Sequence, residues 1–326
     1  MSRSASEAGN ERKKAPAPMK KASVAASAGT RRPERTFFVH GAAIAAPPLA
    51  PGLYVVATPI GNLGDVTLRG LAMLAGADAI LAEDTRLSKT LLAHYGIGTP
   101  LTPYHEHNAA EARPHALRRM AEGQALALVS DAGTPLISDP GYKLVAESIA
   151  SGLAVTAAPG ASAALAALCV AGLPTDRFFF EGFLPPRSAA RRERINALAN
   201  VPATLVFYEA PTRLAESLAD LALELGPRPA AVARELTKLH EEVRRGSLDV
   251  LAADYAAGSA PKGEIVVVVA AGEPRAAVSR DALDRELTEA LGALSVKDAA
   301  AAIAARHGLP RREVYARALE LVGGSR

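Results

Sequence analysis

Acids, histidines, glycines and small hydroxyls gather in five short stretches of this chain. The densest is SDAGTPLISDPG at 130–141, two small turns that each carry an aspartate, a proline and a glycine. Such a loop presents backbone N–H and C=O groups to a ligand that needs hydrogen bonds rather than charge neutralisation, and Asp131 is a candidate proton acceptor there. EDTR at 83–86 sets Glu83 and Asp84 beside an arginine, which suits either a solvated, salt-bridged turn or part of a site. YHEHN at 104–108 makes His105 a further candidate base. Its His-x-His has no cysteine or third histidine at ligand-like spacing, so polar substrate contact or structural hydrogen bonding is preferred to metal. TPIGNLGD at 58–65 is neither a dinucleotide fingerprint nor a phosphate-binding P-loop, and its glycines permit a tight turn or a close backbone approach. APGASA at 158–163 leads into a helix whose first turn suits a carboxylate or phosphate, although Ser162 acting only as a cap explains it as well.

These loops follow short apolar runs, which is where open α/β sheets place ligands. The runs lie at 53–57, 79–82, 125–129, 155–157, 178–182, 204–208, 230–234 and 265–270. Several are apolar throughout, as expected of strands covered by helices on both faces. The helix after Asp65, with Asp65 as its N-cap, puts Leu68, Leu71, Ala72 and Ala75 on one face. The pattern predicts an α/β domain at 51–165, a second α/β domain at 166–273 and a helical tail at 280–326. In that tail Ser295 caps a helix with Asp298 three residues on, and Gly308-Leu309-Pro310 separates it from another. Two helices so joined resemble a helix-turn-helix, or form an appendage that merely packs on the body.

Charge is unevenly spread. Residues 1–36 hold nine basic residues against three acids, a balance of +6, so the rest is net −3 within a whole-chain charge of +3. This basic, Ala/Ser/Pro-rich head has almost no large apolar residue before Phe37, and a disordered extension is expected over 1–50. The 326 residues suggest about two domains of roughly 150 residues. With 49% apolar and 22% charged residues, wholesale disorder is excluded. A single cysteine, Cys169, excludes a disulfide scaffold and a cysteine metal cage and fits a cytoplasmic location. No apolar stretch reaches the roughly 20 residues of a membrane span.

Taken together, ATPIGNLGDVTLR at 57–69, AEDTRLSKTLL at 82–92, YHEHN at 104–108, LVSDAGTPLISDPG at 128–141, APGASAALAAL at 158–168, FFFEGFLP at 178–185, FYEAPTRL at 207–214 and ARELTKLHEE at 233–242 resemble the tetrapyrrole methylase superfamily. The resemblance is to its ribosomal small subunit methyltransferase I branch, in order through about 220 residues. It implies a two-domain class III methyltransferase with S-adenosylmethionine in the cleft, a homodimer, and no metal. Carried over by position, the cofactor would touch Pro59, Asp131, Ala132, Gly133, Thr134, Ile137, Ala161, Ser162, Ala163, Tyr208 and Leu236. The implied substrate is the ribose 2′-hydroxyl of a decoding-centre cytidine, conventionally cytidine 1402, in 16S ribosomal RNA of the small subunit.

An RNA substrate needs cations on a body that is net negative, so local patches must serve. The first choice is Arg187, Arg191, Arg192 and Arg194, which otherwise make a solvated helix start. Arg311 and Arg312 open the last helix, and Lys238, Arg244 and Arg245 add further charge. Two alternatives remain at this point. One is a methyltransferase of the same fold acting on a tetrapyrrole precursor, and the other a non-enzymatic nucleic-acid binder built on the C-terminal helices.

Overall fold

The structure is a computed structural model that describes residues 35–272, 279–307 and 309–323. Most of the basic extension, residues 1–34, lies outside the described residues. The expected disorder up to residue 50 is corrected from residue 35 onward. Strands β1 (Thr36–Val39) and β2 (Ala42–Ala45) pair as an antiparallel hairpin. Phe37, 2% exposed, is buried in the same cluster as Leu74 and Tyr95. The Arg35 guanidinium pairs with Asp78 at 3.1 Å and donates to the Gly76 carbonyl at 2.8 Å. One aromatic and one arginine anchor a segment whose average composition resembles that of an unfolded chain.

The first sheet contains β3 (Gly52–Val56), β4 (Ala79–Ala82), β5 (Leu101–Pro103), β6 (Ala125–Val129) and β7 (Val155–Ala158), all parallel in the order β5-β4-β6-β3-β7. Along β6, Leu126 and Leu128 face one cluster while Ala125, Ala127 and Val129 face another. That two-sided burial is why the run is apolar without alternation. Helices α1 (Leu68–Gly76) and α2 (Thr85–His94) cover one face, and α3 (Ala109–Ala121) and α4 (Tyr142–Ala150) the other. Each fully buried leucine stabilises this core by about 1.5–3 kcal/mol. The N-cap of α1 is Thr67, whose hydroxyl accepts the Gly70 N–H at 3.0 Å, rather than Asp65, which belongs to a short turn capped by Asn62.

The second sheet runs β11-β10-β12-β9-β8, with β8 (Phe178–Phe183) parallel to β9 (Thr204–Glu209). Strands β10 (Pro229–Arg234), β11 (Glu242–Ser247) and β12 (Ile265–Val269) join by antiparallel pairing. Ile265, Val267 and Val269 face the cluster that includes α6 (Ser188–Leu198), α7 (Leu214–Leu225) and α8 (Leu248–Ala257). Val266 and Val268 face α5 (Ala163–Ala171). Because α5 follows β7 of the first sheet yet packs on the second, the chain passes between sheets before the expected division at 165/166. Besides β1 and β2, two strands of the five-stranded sheets escape the apolar reading: β5 has three residues, and β11, EVRRGS, is a polar edge strand solvated on one side.

After residue 279 the described chain is helical: α9 (Arg280–Leu291), α10 (Val296–His307) and α11 (Arg311–Gly323). They share a small core of Leu287, Ala300, Ile303, Ala304, Val314 and Ala318. Ser295 Oγ accepts the Asp298 N–H at 3.2 Å, as its spacing predicts. Among the described residues no helix is long and apolar enough to cross a membrane.

Candidate active site

The loops after β3, β4, β6 and β7 are stitched to one another at the carboxyl ends of the first sheet. Thr58 and Gly133 exchange backbone bonds, with Thr58 N–H to Gly133 O at 2.8 Å and the reverse at 3.1 Å. Thr134 Oγ1 donates to the Ala161 carbonyl at 3.0 Å. The Asp84 N–H donates to Asp131 Oδ1 at 2.8 Å. Facing these loops are the ends of β8, β9 and β10 and the start of β12. Between them lies a cavity of about 460 Å³, within the range of small-molecule sites.

From the first half Ile60, Glu83, Asp131, Ala132, Gly133, Thr134, Ile137, Ser138 and Asp139 line the cavity, and at the turn into α5 so do Ser162 and Ala163. From the second half come Phe183, Tyr208, Glu209, Ala210, Pro211, Ala233, Leu236 and Gly263 to Val266. Phe183 meets Tyr208 edge-on at 5.6 Å between ring centroids. Both facing loops hold non-glycine residues at positive φ: Leu136 (+74°) and Ser138 (+65°) on one side, Glu235 (+50°) and Thr237 (+66°) on the other. Such conformations cost energy and concentrate at functional loops. The Lys238 stem lies over Gly61, where a Cβ would fall inside the lysine side chain. Gly61 therefore answers a close approach between the two halves.

Five carboxylates line the cavity, on Glu83, Asp131, Asp139, Glu209 and Glu264, and none of its described lining residues is Lys, Arg or His. Burial, then the neighbouring Asp131, Asp139 and Glu106, pushes the Glu83 carboxyl above its ordinary value. Burial also raises Asp139, with Asp131 adding to it and a hydrogen bond from Ser130 opposing it. Burial raises the Tyr208 phenol, keeping it neutral. Glu209, 3% exposed, is fully engaged, accepting from Arg213 Nη2 at 2.6 Å, the Ala210 N–H at 2.7 Å and the Ser217 hydroxyl.

Of the residues expected at the cofactor, Asp131, Ala132, Gly133, Thr134, Ile137, Ser162, Ala163, Tyr208 and Leu236 meet at this one cavity. Pro59 and Ala161 are not among its lining residues: Ile60, next to Pro59 in sequence, lines it instead, and Ala161 contributes the carbonyl that Thr134 binds. Ser162 occupies the N-cap position of α5 without a side-chain cap bond. Among the candidate bases, Glu83 and Asp131 line the cavity and Asp84 and His105 do not. Asp84 caps α2, and hydrogen bonding from Arg86 holds its carboxyl down at about 2. His105 takes the Asn108 side-chain oxygen on its backbone N–H at 2.8 Å. Sequence reasoning missed Ser138 and Asp139, which stand in the loop already singled out, and Glu209 beside Tyr208. Glu264 carries no local signal, since antiparallel pairing of β12 alone brings it here. Among the described residues no group of three or more His, Cys, Asp or Glu is placed to hold a metal ion.

The basic segment behaves otherwise. Arg191 is not an exposed cation: it is 1% exposed, with Nε 2.7 Å from Asp220 Oδ2 and Nη2 3.5 Å from Glu216 Oε2. Its placement as an RNA contact is corrected, because Arg191, Ile195 and Leu198 fall at i, i+4 and i+7 on the buried face of α6. Arg192 pairs with Glu224 at 2.6 Å and Arg194 with Glu181 at 2.5 Å. Arg187, Arg311 and Arg312 are exposed.

Comparison with known proteins accords with this architecture. Residues 52–252 match the family of Tetrapyrrole (Corrin/Porphyrin) Methylases, and residues 276–322 match the RsmI C-terminal HTH domain. A protein of Mesorhizobium japonicum named ribosomal RNA small subunit methyltransferase I is 52% identical over 279 residues, covering 85% of this chain and 95% of that protein. Proteins of the same name are 47% identical in Pseudomonas aeruginosa (84% of this chain, 98% of that one) and 44% in Escherichia coli O157:H7 (83% and 96%). Among solved structures, diphthine synthase aligns at a TM-score of 0.53 with 18% identity over 67% of this chain and 89% of its own. The methyltransferase CobJ aligns at 0.51 with 23% identity over 70% and 96%, and both likenesses show the fold alone. The chain belongs to the tetrapyrrole methylase family of methyltransferases, in its ribosomal RNA small subunit methyltransferase I branch.

Proposed function

We propose that the protein transfers a methyl group from S-adenosylmethionine to the ribose 2′-hydroxyl of a decoding-centre cytidine, cytidine 1402, in 16S ribosomal RNA of the small subunit. The observation that carries the chemical part is the cavity's lining of five carboxylates with no cation among its described residues. Bound there, the cofactor supplies an electrophilic methyl on a positively charged sulfur. The residues present fit such a group: carboxylates suit its positive sulfur and ammonium, the first turn of α5 at Ser162 and Ala163 suits a carboxylate, and Ile60, Ile137, Leu236 and Val266 give apolar wall for a planar base.

The protein's own task is to align the acceptor hydroxyl, exclude water and receive a proton. Among the described residues, Asp131, Glu83 and Asp139 are the carboxylates without an ion pair that the cavity offers as acceptors, and the strained 130–141 loop fixes Asp131 through its bond to the Asp84 N–H. The RNA part of the reading is supported by the names of relatives 44–52% identical over more than four-fifths of the chain. The homodimer belongs to the same reading, and the edge strand β8 leaves Phe178, Phe179 and Phe183 exposed for it. A cytoplasmic location follows from the substrate.

The test incubates the protein with labelled S-adenosylmethionine and small subunits lacking the modification, then maps the methyl group by mass spectrometry. Label on one cytidine ribose is expected. Label on a base, or on a tetrapyrrole precursor and not on the subunit, would sink the proposal. Sedimentation at micromolar concentration reads the dimer.

A further inference from the structure

We propose that Arg86 holds the backbone phosphate next to the acceptor ribose, at the mouth of the acid-lined cavity; the inference rests on the ribose-methylating reading above. A ribose 2′-hydroxyl is only a few bonds from its own 3′-phosphate, so a nucleotide presenting that hydroxyl brings a negative charge to the same opening. The cavity repels it, since Glu83, Asp131 and Asp139 line it with no ion pair among the described residues and no described Lys, Arg or His lines it. The phosphate must therefore stay outside, on a cation at the rim.

Three cations are tied, directly or through one neighbour, to lining residues. Arg213 is held on Glu209, with Nε at 2.9 Å and Nη2 at 2.6 Å from its Oε1. Lys238 is spent: its ammonium lies 2.7 Å from Glu235 Oε1 and 3.1 Å from Glu264 Oε2, and its stem is covered by Gly61. Arg86 is open, with its side chain 89% exposed. Asp84 binds it through Nε (3.1 Å) and Nη2 (2.6 Å) only. That leaves both N–H groups of Nη1 and one of Nη2, a fork that matches two phosphate oxygens. The guanidinium is also held in place relative to the cavity. Asp84 accepts the Arg86 backbone N–H at 2.8 Å, and its own N–H is bound by Asp131, which lines the cavity. One carboxylate thus sets the arginine, and the next sets that carboxylate.

An exposed pair of this kind adds little to stability, so Arg86→Ala should fold and melt like the parent. With small subunits lacking the modification, Arg86→Ala is expected to raise KM about tenfold and to flatten the slope of log affinity against log salt by about 0.7–0.9. Its calorimetric affinity for S-adenosylmethionine should match the parent's. Arg86→Lys should recover the salt slope, because the charge returns, but not the full KM, because the fork does not. A parent-like KM and slope in Arg86→Ala overturns the proposal, and so does an equal loss of cofactor affinity. Binding of parent and Arg86→Ala to a single-stranded RNA oligonucleotide, read as a salt slope without methyl transfer, separates the two readings. If the parent transfers no methyl while the variant still loses one phosphate's slope, the ribose reading fails and the phosphate contact stands. Equal slopes in that assay overturn the contact itself.

Discussion

The loop at 130–141 and the segment at 187–194 are both dense in charge, and the folded chain treats them in opposite ways. Neither Asp131 nor Asp139 takes part in an ion pair among the described residues, and both line the cavity. Three of the four arginines in the basic segment are matched by Asp220, Glu224 and Glu181. A loop after a buried strand has no inner face on which to hide a polar side chain, so its charges stay available to a ligand. A helix has such a face, and α6 uses it. Charge density alone therefore does not locate a binding surface. Its place relative to the element's period does.

That contrast is broken most severely through Arg191. Arg191→Ala leaves Asp220 and the Pro186 carbonyl without their buried partner, and should cost about 3–5 kcal/mol of stability by urea unfolding. An unfolding midpoint like the parent's would return Arg191 to the surface. Asp131→Ala should do the reverse. It should leave stability nearly intact while lowering turnover at least tenfold, about 1.4 kcal/mol. Unchanged turnover with parent cofactor affinity would remove Asp131 from the site. A smaller effect divides the basic segment itself. Arg187 makes no ion pair among the described residues, so Arg187→Ala should flatten the salt dependence of subunit binding by about 0.7–0.9. The double change Arg192→Ala, Arg194→Ala should flatten it by less, because Glu224 and Glu181 already occupy those guanidinium groups. A larger change in the double variant would show that the RNA displaces the acids.

The eight apolar runs all became strands: six because burial on both faces leaves a continuous composition signal, and the edge strands β7 and β8 because their runs stay apolar although partly exposed. Nine of the eleven residues expected at the cofactor line one cavity for a related reason: each lies at or beyond the carboxyl end of a strand, where chain direction fixes its position. Glu264 and Glu209 were illegible as site residues, since their place depends on the antiparallel registers of Val266 with Tyr208 and Ile265 with Glu209. The inward Arg191 was legible in principle. Ile195 and Leu198 continue its stripe, and a single charged residue on such a stripe has to find buried partners.

The smallest effect concerns Glu83, on the cavity side of the comparison. Its carboxyl is raised above the ordinary value by burial and by the nearby Asp131, Asp139 and Glu106. The folded protein therefore binds this proton more tightly than the unfolded chain does. Stability from this group is complete below the ordinary carboxylate value and is lost as pH rises through the raised folded value. At neutral pH an ionised Glu83 sits among other carboxylates at a net cost. Glu83→Gln keeps the shape and removes the charge, so it should unfold at a higher urea concentration than the parent at about pH 7.5, with the gain shrinking towards about pH 4.5. Turnover at neutral pH should nonetheless fall if Glu83 receives the ribose proton, since an amide cannot accept it. A variant that gained stability and kept full turnover would leave Asp131 or Asp139 as the cavity's acceptor. One that lost stability at neutral pH would mean that Glu83 is stabilised in its charged form, contrary to the crowding of acids seen around it.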